Sequence, residues 1–150
     1  MNTFQVRTSS ACVADFMTPR PLTLPEGVTA SVAIAFMTNR RIRHVPIVDS
    51  EHRYLGMVSV VALSLLTPGE SVDAAMERRP ATELRACAAA AARFMFRSKT
   101  EALAVVEGER VVGILTESDF VRAYIRHAAE RGCEHESILE PRSIPSERAS

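Results

Sequence analysis

The chain nearly repeats itself. Met17 is matched by Met76, Phe36-Met37 by Phe94-Met95, Val48 by Val106 and Gly56 by Gly113. Each pair is roughly 58 residues apart, and a fixed period of that length marks an internal duplication. A unit of about 60 residues buries too little surface to be more than marginally stable alone. Two such units must therefore share apolar surface, and this constraint narrows the fold more than any single segment does. The shared interior has to be aliphatic. Hydrophobic residues make up 47% of the 150 residues, but only 5% are aromatic and Trp is absent.

Local patterning gives the same order of elements twice. Val13, Phe16 and Met17 make a short helical turn, stopped by Pro19 and Pro21. Leu22-Thr23-Leu24 is extended. A helix runs from about Thr29, its N-cap, to Asn39, with Val28, Val32, Ala35, Phe36 and Met37 on one face. Strands at Val45–Val48 and Tyr54–Ser59 flank a turn at Asp49–His52, and a helix from Val60 to Leu66 ends before Pro68-Gly69. The second pass has a short helix at Val72–Met76, an extended piece around Thr82 and a helix over Ala86–Arg97. Strands at Ala102–Val106 and Arg110–Leu115 follow, then a helix from Glu117 to about Arg131 with Phe120, Val121, Tyr124 and Ile125 as its apolar face. The class expected is α+β or α/β, with two β-α-β-β-α units packed through their sheets around one core. The boundaries expected are a loose arm at 1–10, halves at 11–69 and 70–131, and a disordered, Ser/Pro-rich tail at 132–150.

Several function classes lose support at this level. Eighteen basic and eighteen acidic residues cancel, so no global field attracts nucleic acid, and Arg40, Arg41, Arg43 and Arg53 are the only local cluster to consider. Cys12, Cys87 and Cys133 are scattered, with no metal spacing, and read as free thiols of a reducing cytoplasm. His127 and His135 bracket Cys133 and Glu134 but lack the spacing of a metal site. No apolar run approaches the roughly 20 residues of a membrane span, and residues 1–10 lack a signal-peptide core. A cytoplasmic location is expected. No nucleophile–base signature, Gly-rich phosphate loop or dinucleotide fingerprint is present, so no enzyme and no catalytic residue is expected.

The chemistry concentrates in Gly113-Ile114-Leu115-Thr116-Glu117-Ser118-Asp119, where a strand hands over to a helix. Thr116 and Asp119 can form a capping box, with Asp in the place of the usual Glu. The same turn exposes backbone N–H groups at the positive end of a helix dipole, which suits an anionic ligand. Both readings stand at this point. Arg40, Arg41 and Arg43 likewise fit either a solvated helix end or a phosphate contact, and His44 either a structural or a ligand-facing role.

Phe16-Met17-Thr18-Pro19, Arg43-His44-Val45-Pro46-Ile47-Val48-Asp49 and Gly56-Met57-Val58-Ser59 together resemble a cystathionine-β-synthase (CBS) motif. The second half, ending in Gly113–Asp119, resembles another, so residues 11–130 look like a tandem CBS pair, a Bateman module. The resemblance implies a regulatory module that dimerises, binds an adenosyl ligand (AMP, ADP, ATP, S-adenosylmethionine or NAD) and signals its state to an effector protein. It implies that Asp119 takes the ribose hydroxyls with Thr116 beside it, and that Leu103 and Val105 sandwich the adenine. Thr82 would close the edge, and Arg43 and His44 would meet phosphate. Thr23, Pro46 and Ser59 form a weaker second set. Two departures count against full occupancy: Ala62 replaces the Asp of the first motif, and Glu101 stands where a cation would help. They leave a ligand-free dimerisation scaffold as the alternative.

Overall fold

The computed structural model describes residues 11–78 and 80–132. The expected arm at 1–10, the tail beyond Gly132 and the Cys133–His135 cluster lie outside them. A 3-10 turn at Val13–Asp15 precedes β1 (Thr18–Pro19), β2 (Leu24–Pro25), α1 (Ala30–Arg40), β3 (His44–Val48), β4 (Tyr54–Ser59) and α2 (Val60–Leu63). A second 3-10 turn at Val72–Ala74 precedes β5 (Thr82–Glu83), α3 (Ala88–Ser98), β6 (Ala102–Glu107), β7 (Arg110–Thr116) and α4 (Glu117–Glu130). The protein is a mixed α+β module in which β-α-β-β-α occurs twice.

Turn chemistry explains the hairpins. Between β3 and β4, Asp49 Oδ1 accepts the N–H groups of Glu51 and Arg53, each at 2.9 Å, and Oδ2 accepts Arg53 Nε at 2.7 Å. Between β6 and β7, Gly108 takes φ +61°. The α2 helix stops three residues earlier than the sequence pattern suggests. Ser64 Oγ donates back to the Val61 carbonyl at 2.7 Å, a local bond that competes with helix continuation. Beyond it, Glu70 Oε2 accepts the N–H and hydroxyl of Thr67 at 2.5 and 2.8 Å.

These turns carry a pH signature. The backbone N–H of Arg53, followed by its side chain, holds the Asp49 carboxyl below the usual carboxylate range. The Thr67 N–H does the same to Glu70. A depressed folded-state pKa stabilises fully above the unfolded value, about 4, and the contribution disappears as pH falls through the folded value. The melting-temperature gap between wild type and Asp49→Asn is therefore expected to be constant from pH 6 to 8 and to shrink below about pH 4. A gap that widened on acidification would contradict this.

The two halves exchange straps. β1 pairs antiparallel with β7 of the other half, Thr18 opposite Ile114 and Pro19 opposite Gly113. Reciprocally, Glu77 exchanges two backbone bonds of 2.9 Å with Met57 on β4. The resulting sheets run β2-β3-β4 and β5-β6-β7-β1. The paired glycines of the repeat make these crossings possible. A Cβ on Gly56 would stand 2.6 Å from Met76 Cγ and 2.7 Å from the Glu77 carbonyl oxygen, and one on Gly113 would overlap Met17 Sδ.

The interior is three clusters where the sequence suggested one. Met37, Val45, Ile47, Val58 and Leu63 pack in the first half and admit Val72 from the second. Met95, Leu103, Val105 and Leu115 pack in the second half and admit Val13 from the first. Met57, Ala102 and Ala104 fill the seam between the sheets. Small alanines there let the two sheets approach closely. The apolar face expected on α4 is only partly inward. Phe120 packs on Phe16 with ring centroids 5.3 Å apart, whereas Val121, Tyr124 and Ile125 are exposed, as are Val61 and Leu65 at α2.

Candidate functional site

The site follows from strand parity. On β7, Ile114 and Thr116 stand opposite Ala104 and Ala102 of β6. On β4, Met57 and Ser59 stand opposite Pro46 and His44 of β3. Alternation puts these residues on the faces that look across the seam. Where the sheets diverge, two clefts open. The first, of about 400 Å³, runs from Thr116, Glu117 and Ser118 at the head of α4 to Arg41, Arg43 and His44 entering β3, with Thr18 and Ile114 along its edge. The second, of about 580 Å³, runs from Ser59, Val60 and Val61 at the head of α2 to Lys99 and Glu101 entering β6. Arg41, Arg43, His44 and Glu101 border both.

Asp119 sits behind the wall of the first cleft and is 6% exposed. Its Oδ2 accepts the Thr116 N–H at 2.7 Å and the Thr116 hydroxyl at 2.9 Å, and its Oδ1 accepts Arg122 Nη2 at 2.9 Å. The carboxylate thus caps α4 and anchors a cation. A carboxylate offers about four acceptor positions, and three are filled here. The Arg122 side chain is 64% exposed and borders the cleft. The first half has no equivalent carboxylate. Ser59 Oγ there accepts the Ala62 N–H at 3.1 Å and caps α2 alone.

The cleft's charge is mixed. Arg41, Arg43 and Arg122 contribute positive groups, and Glu101 and Glu117 negative ones. His44 Nε2 lies 3.3 Å from Glu101 Oε2, so the acidic residue that departs from the family pattern faces the cleft with an imidazole against it. Arg41 and Lys99 are the C-caps of α1 and α3, and both adopt the left-handed conformation, φ +54° and +52°. A non-glycine residue there costs about 1–2 kcal/mol. The fold tolerates that cost twice, at equivalent positions, and each time a cation stands at a cleft mouth.

The structure brings Thr116, Arg43 and His44 together, with Asp119 behind Thr116. It does not bring Thr82, Leu103 or Val105 to them. β5 pairs with β6, Thr82 opposite Val105, and so lies at the far edge of the sheet from β7. Thr82 and Leu103 border a separate cavity of about 230 Å³ against α3, and Val105 is fully buried. Leu103 and Val105 occupy the helix-facing side of β6, and Ala102 and Ala104 the seam side. Of the second set, Ser59 reaches its cleft. Pro46 is on the seam face but wholly buried, and Thr23 leads into β2, which pairs with β3 on the side away from β4. The sequence does not place Thr18, Ser118 or Arg122 at the site, and it leaves Arg41 open between a solvated helix end and a phosphate contact; the structure puts all four on the first cleft. Ser118 lies inside the Gly113–Asp119 motif and Arg122 one helical turn beyond Asp119, so the sequence carries a signal for both. Thr18 depended on the strap crossing.

Two β-α-β-β-α units joined through their sheets, with two adjoining clefts that share Arg41, Arg43, His44 and Glu101, define a tandem repeat module. The chain belongs to the CBS-domain family, whose model matches residues 13–64 and 88–126. Proteins of this family are as a rule regulatory rather than catalytic. A Vibrio cholerae protein assigned to acetoin utilization, AcuB, has a similar structure, with 32% identity and a TM-score of 0.76 over 82% of this chain and 98% of that one. CBSX2, solved with AMP, is 26% identical with a TM-score of 0.71, covering 77% and 97% of the two chains. The CBS pair of MJ0100, solved with 5′-methylthioadenosine and S-adenosylmethionine, is 22% identical with a TM-score of 0.72 over 78% and 98%, and shares the fold. No curated protein matches by sequence. Among the described residues, no cluster of His, Cys, Asp and Glu could hold a metal ion, and no helix is long and apolar enough to cross a membrane.

Proposed function

We propose that this chain is a cytoplasmic regulatory module, with CBS motifs at 11–69 and 70–131, that binds one adenosyl ligand per chain in the first cleft. One observation carries the reading. Thr116 and Ser118 at the N-terminus of the 14-residue α4 face Arg41, Arg43 and His44 across a cleft of about 400 Å³, within the usual range for small-molecule sites. Asp119 Oδ1 would accept the ribose diol once Arg122 swings away, and the released guanidinium would be available to phosphate. Glu101 and Glu117 disfavour a long phosphate chain, so AMP and S-adenosylmethionine fit better than ATP. The exposed Val61 on α2, Leu65 just beyond it, and Val121, Tyr124 and Ile125 on α4 are read as the homodimer surface. Ligand-dependent change in the pose of the two halves would bias an effector protein by as much as the ligand discriminates between poses.

A second reading, a ligand-free scaffold, draws on the three hydrogen bonds that already occupy Asp119. A thermal-shift panel with AMP, ADP, ATP, S-adenosylmethionine and NAD separates the two, on protein whose mass is read by sedimentation. A ligand at a hundred times its dissociation constant adds about 2.7 kcal/mol. No shift with any of the five leaves the scaffold, and a monomer at micromolar concentration removes the dimer.

Arg41→Gly gives a sharper readout. Glycine relieves the left-handed strain, so stability should stay within about 1 kcal/mol of wild type, on the side of gain. AMP affinity should fall about tenfold or more with the lost charged donor. Unchanged affinity would take Arg41 out of the site.

A further inference from the structure

Cys12 and Cys87 are far apart in sequence and directly opposite in space. The Val13 N–H donates to the Ala86 carbonyl at 2.9 Å, and the Ala88 N–H donates to the Ala11 carbonyl at 3.0 Å. Cys12 and Cys87 are the antiparallel pair between these two bonds. A pair so placed is of the non-hydrogen-bonded kind, with Cα atoms about 4.5 Å apart and both side chains on one side of the ladder. A disulfide requires Cα atoms about 4.4–6.8 Å apart, so the backbone already has the necessary spacing. Neighbouring contacts hold it there: Ala14 N–H bonds the Leu84 carbonyl at 3.0 Å, and Cys12 N–H bonds Asp15 Oδ2 at 2.8 Å. Both cysteines are free thiols, Cys12 half-buried and Cys87 exposed. Cys87 also borders the cavity of about 230 Å³ beside α3, with Pro80, Phe94 and Leu103, which leaves room for a small attacking partner.

We propose that Cys12 and Cys87 are a reversible dithiol–disulfide site whose co-substrate is a small-molecule disulfide of the glutathione type. The exposed Cys87 sulfur attacks one sulfur of the small disulfide, breaks its S–S bond and expels one small thiol. The Cys12 sulfur then attacks Cys87 in the mixed disulfide and expels the second. One S–S bond is lost and one formed, the two protein thiol protons end on the two released thiols, and the protein is oxidised by the two electrons the small disulfide gains. The product staples the Ala11–Asp15 segment, which leads into β1 and Thr18, to the turn before α3. It closes a loop of roughly 75 residues, a length at which cross-linking strongly restricts the unfolded chain. The site stands independently of what binds the cleft.

The test uses the full chain with Cys133→Ser, equilibrated in buffers of varied oxidised-to-reduced glutathione ratio and analysed by non-reducing peptide mapping and thermal melting without nucleotide. The expected product is a chain lighter by two hydrogens and not covalently linked to a second copy, with its own Cys12 and Cys87 peptides joined. Its melting temperature should be on the order of 5–15 °C above that of the reduced form. Cys12→Ser and Cys87→Ser should each melt near the reduced protein and be insensitive to the buffer. Stable glutathione adducts on both thiols, a disulfide between chains, or an oxidised form that melts no higher than the reduced one would each overturn the proposal.

Discussion

Asp119→Ala is expected to lower stability by about 1–3 kcal/mol and to abolish any stabilisation by adenosyl ligands. The first effect follows from the geometry. The Thr116 N–H and hydroxyl both rest on Asp119 Oδ2, and the carboxylate is 6% exposed, so its removal strands a helix-start donor in a place water barely reaches. The melting temperature should fall by roughly 2–8 °C. The second effect depends on the proposed diol contact at Oδ1. Asp119→Asn separates the two, because the amide oxygen can still accept from Thr116 while a diol meets an amide nitrogen beside Arg122. That variant should regain most of the lost stability and little of the ligand response. If Asp119→Ala kept the full AMP-induced shift, the carboxylate would be a helix cap and nothing more.

Gly56→Ala should be the most damaging single methyl in the protein, at about 3 kcal/mol, or on the order of 10 °C of melting temperature. The added carbon meets both Met76 and the Glu77 carbonyl oxygen. Only movement of the strap relieves the second contact, and the strap carries both backbone bonds to Met57. Gly113→Ala meets a side chain, that of Met17, and should cost about 1 kcal/mol because a thioether can change rotamer. The contrast is the test. Met17→Ala combined with Gly113→Ala should be less destabilising than the two single changes added together, whereas Met76→Ala should rescue Gly56→Ala only in part. A Gly56→Ala protein within about 0.5 kcal/mol of wild type would mean that Glu77 does not seat on β4.

The duplication, the element order and the strand–turn–helix with Thr116 and Asp119 were legible because each is local or strictly periodic. The resemblance to the CBS family rested on the same residues. What failed to show was facing and crossing. Ala102-Leu103-Ala104-Val105-Val106 is apolar throughout, so period-two alternation has no polar residue to mark which side is the seam. The resemblance implies Leu103 and Val105 at the adenine, yet the close approach of the sheets puts the small Ala102 and Ala104 at the seam. The resemblance likewise implies Thr82 as the edge of the site, but β5 lies on the far side of β6 from β7. The chain instead lends Thr18 from the other half, an exchange that no property of residues 16–19 reveals alone. The outward turn of Val121, Tyr124 and Ile125 has the same origin, since helical spacing identifies an apolar face but not what covers it.

The exchanged straps also set the order in which the chain can be completed. Thr18 waits for Ile114, so the first strand to leave the ribosome finds its partner only when nearly the whole described chain has been made. Until then the N-terminal half has its own hairpin, helix α1 and Glu77 on its sheet edge, but no completed place for Val13, which packs against Met95, Leu103 and Leu115. Contacts between distant parts of the sequence slow folding and leave edges open while they are awaited. Once both straps close, neither half can unravel without releasing the other. The fold should therefore be reached slowly and lost all at once, a kinetic property that follows from one strand of two residues, one bridging residue and one pair of glycines.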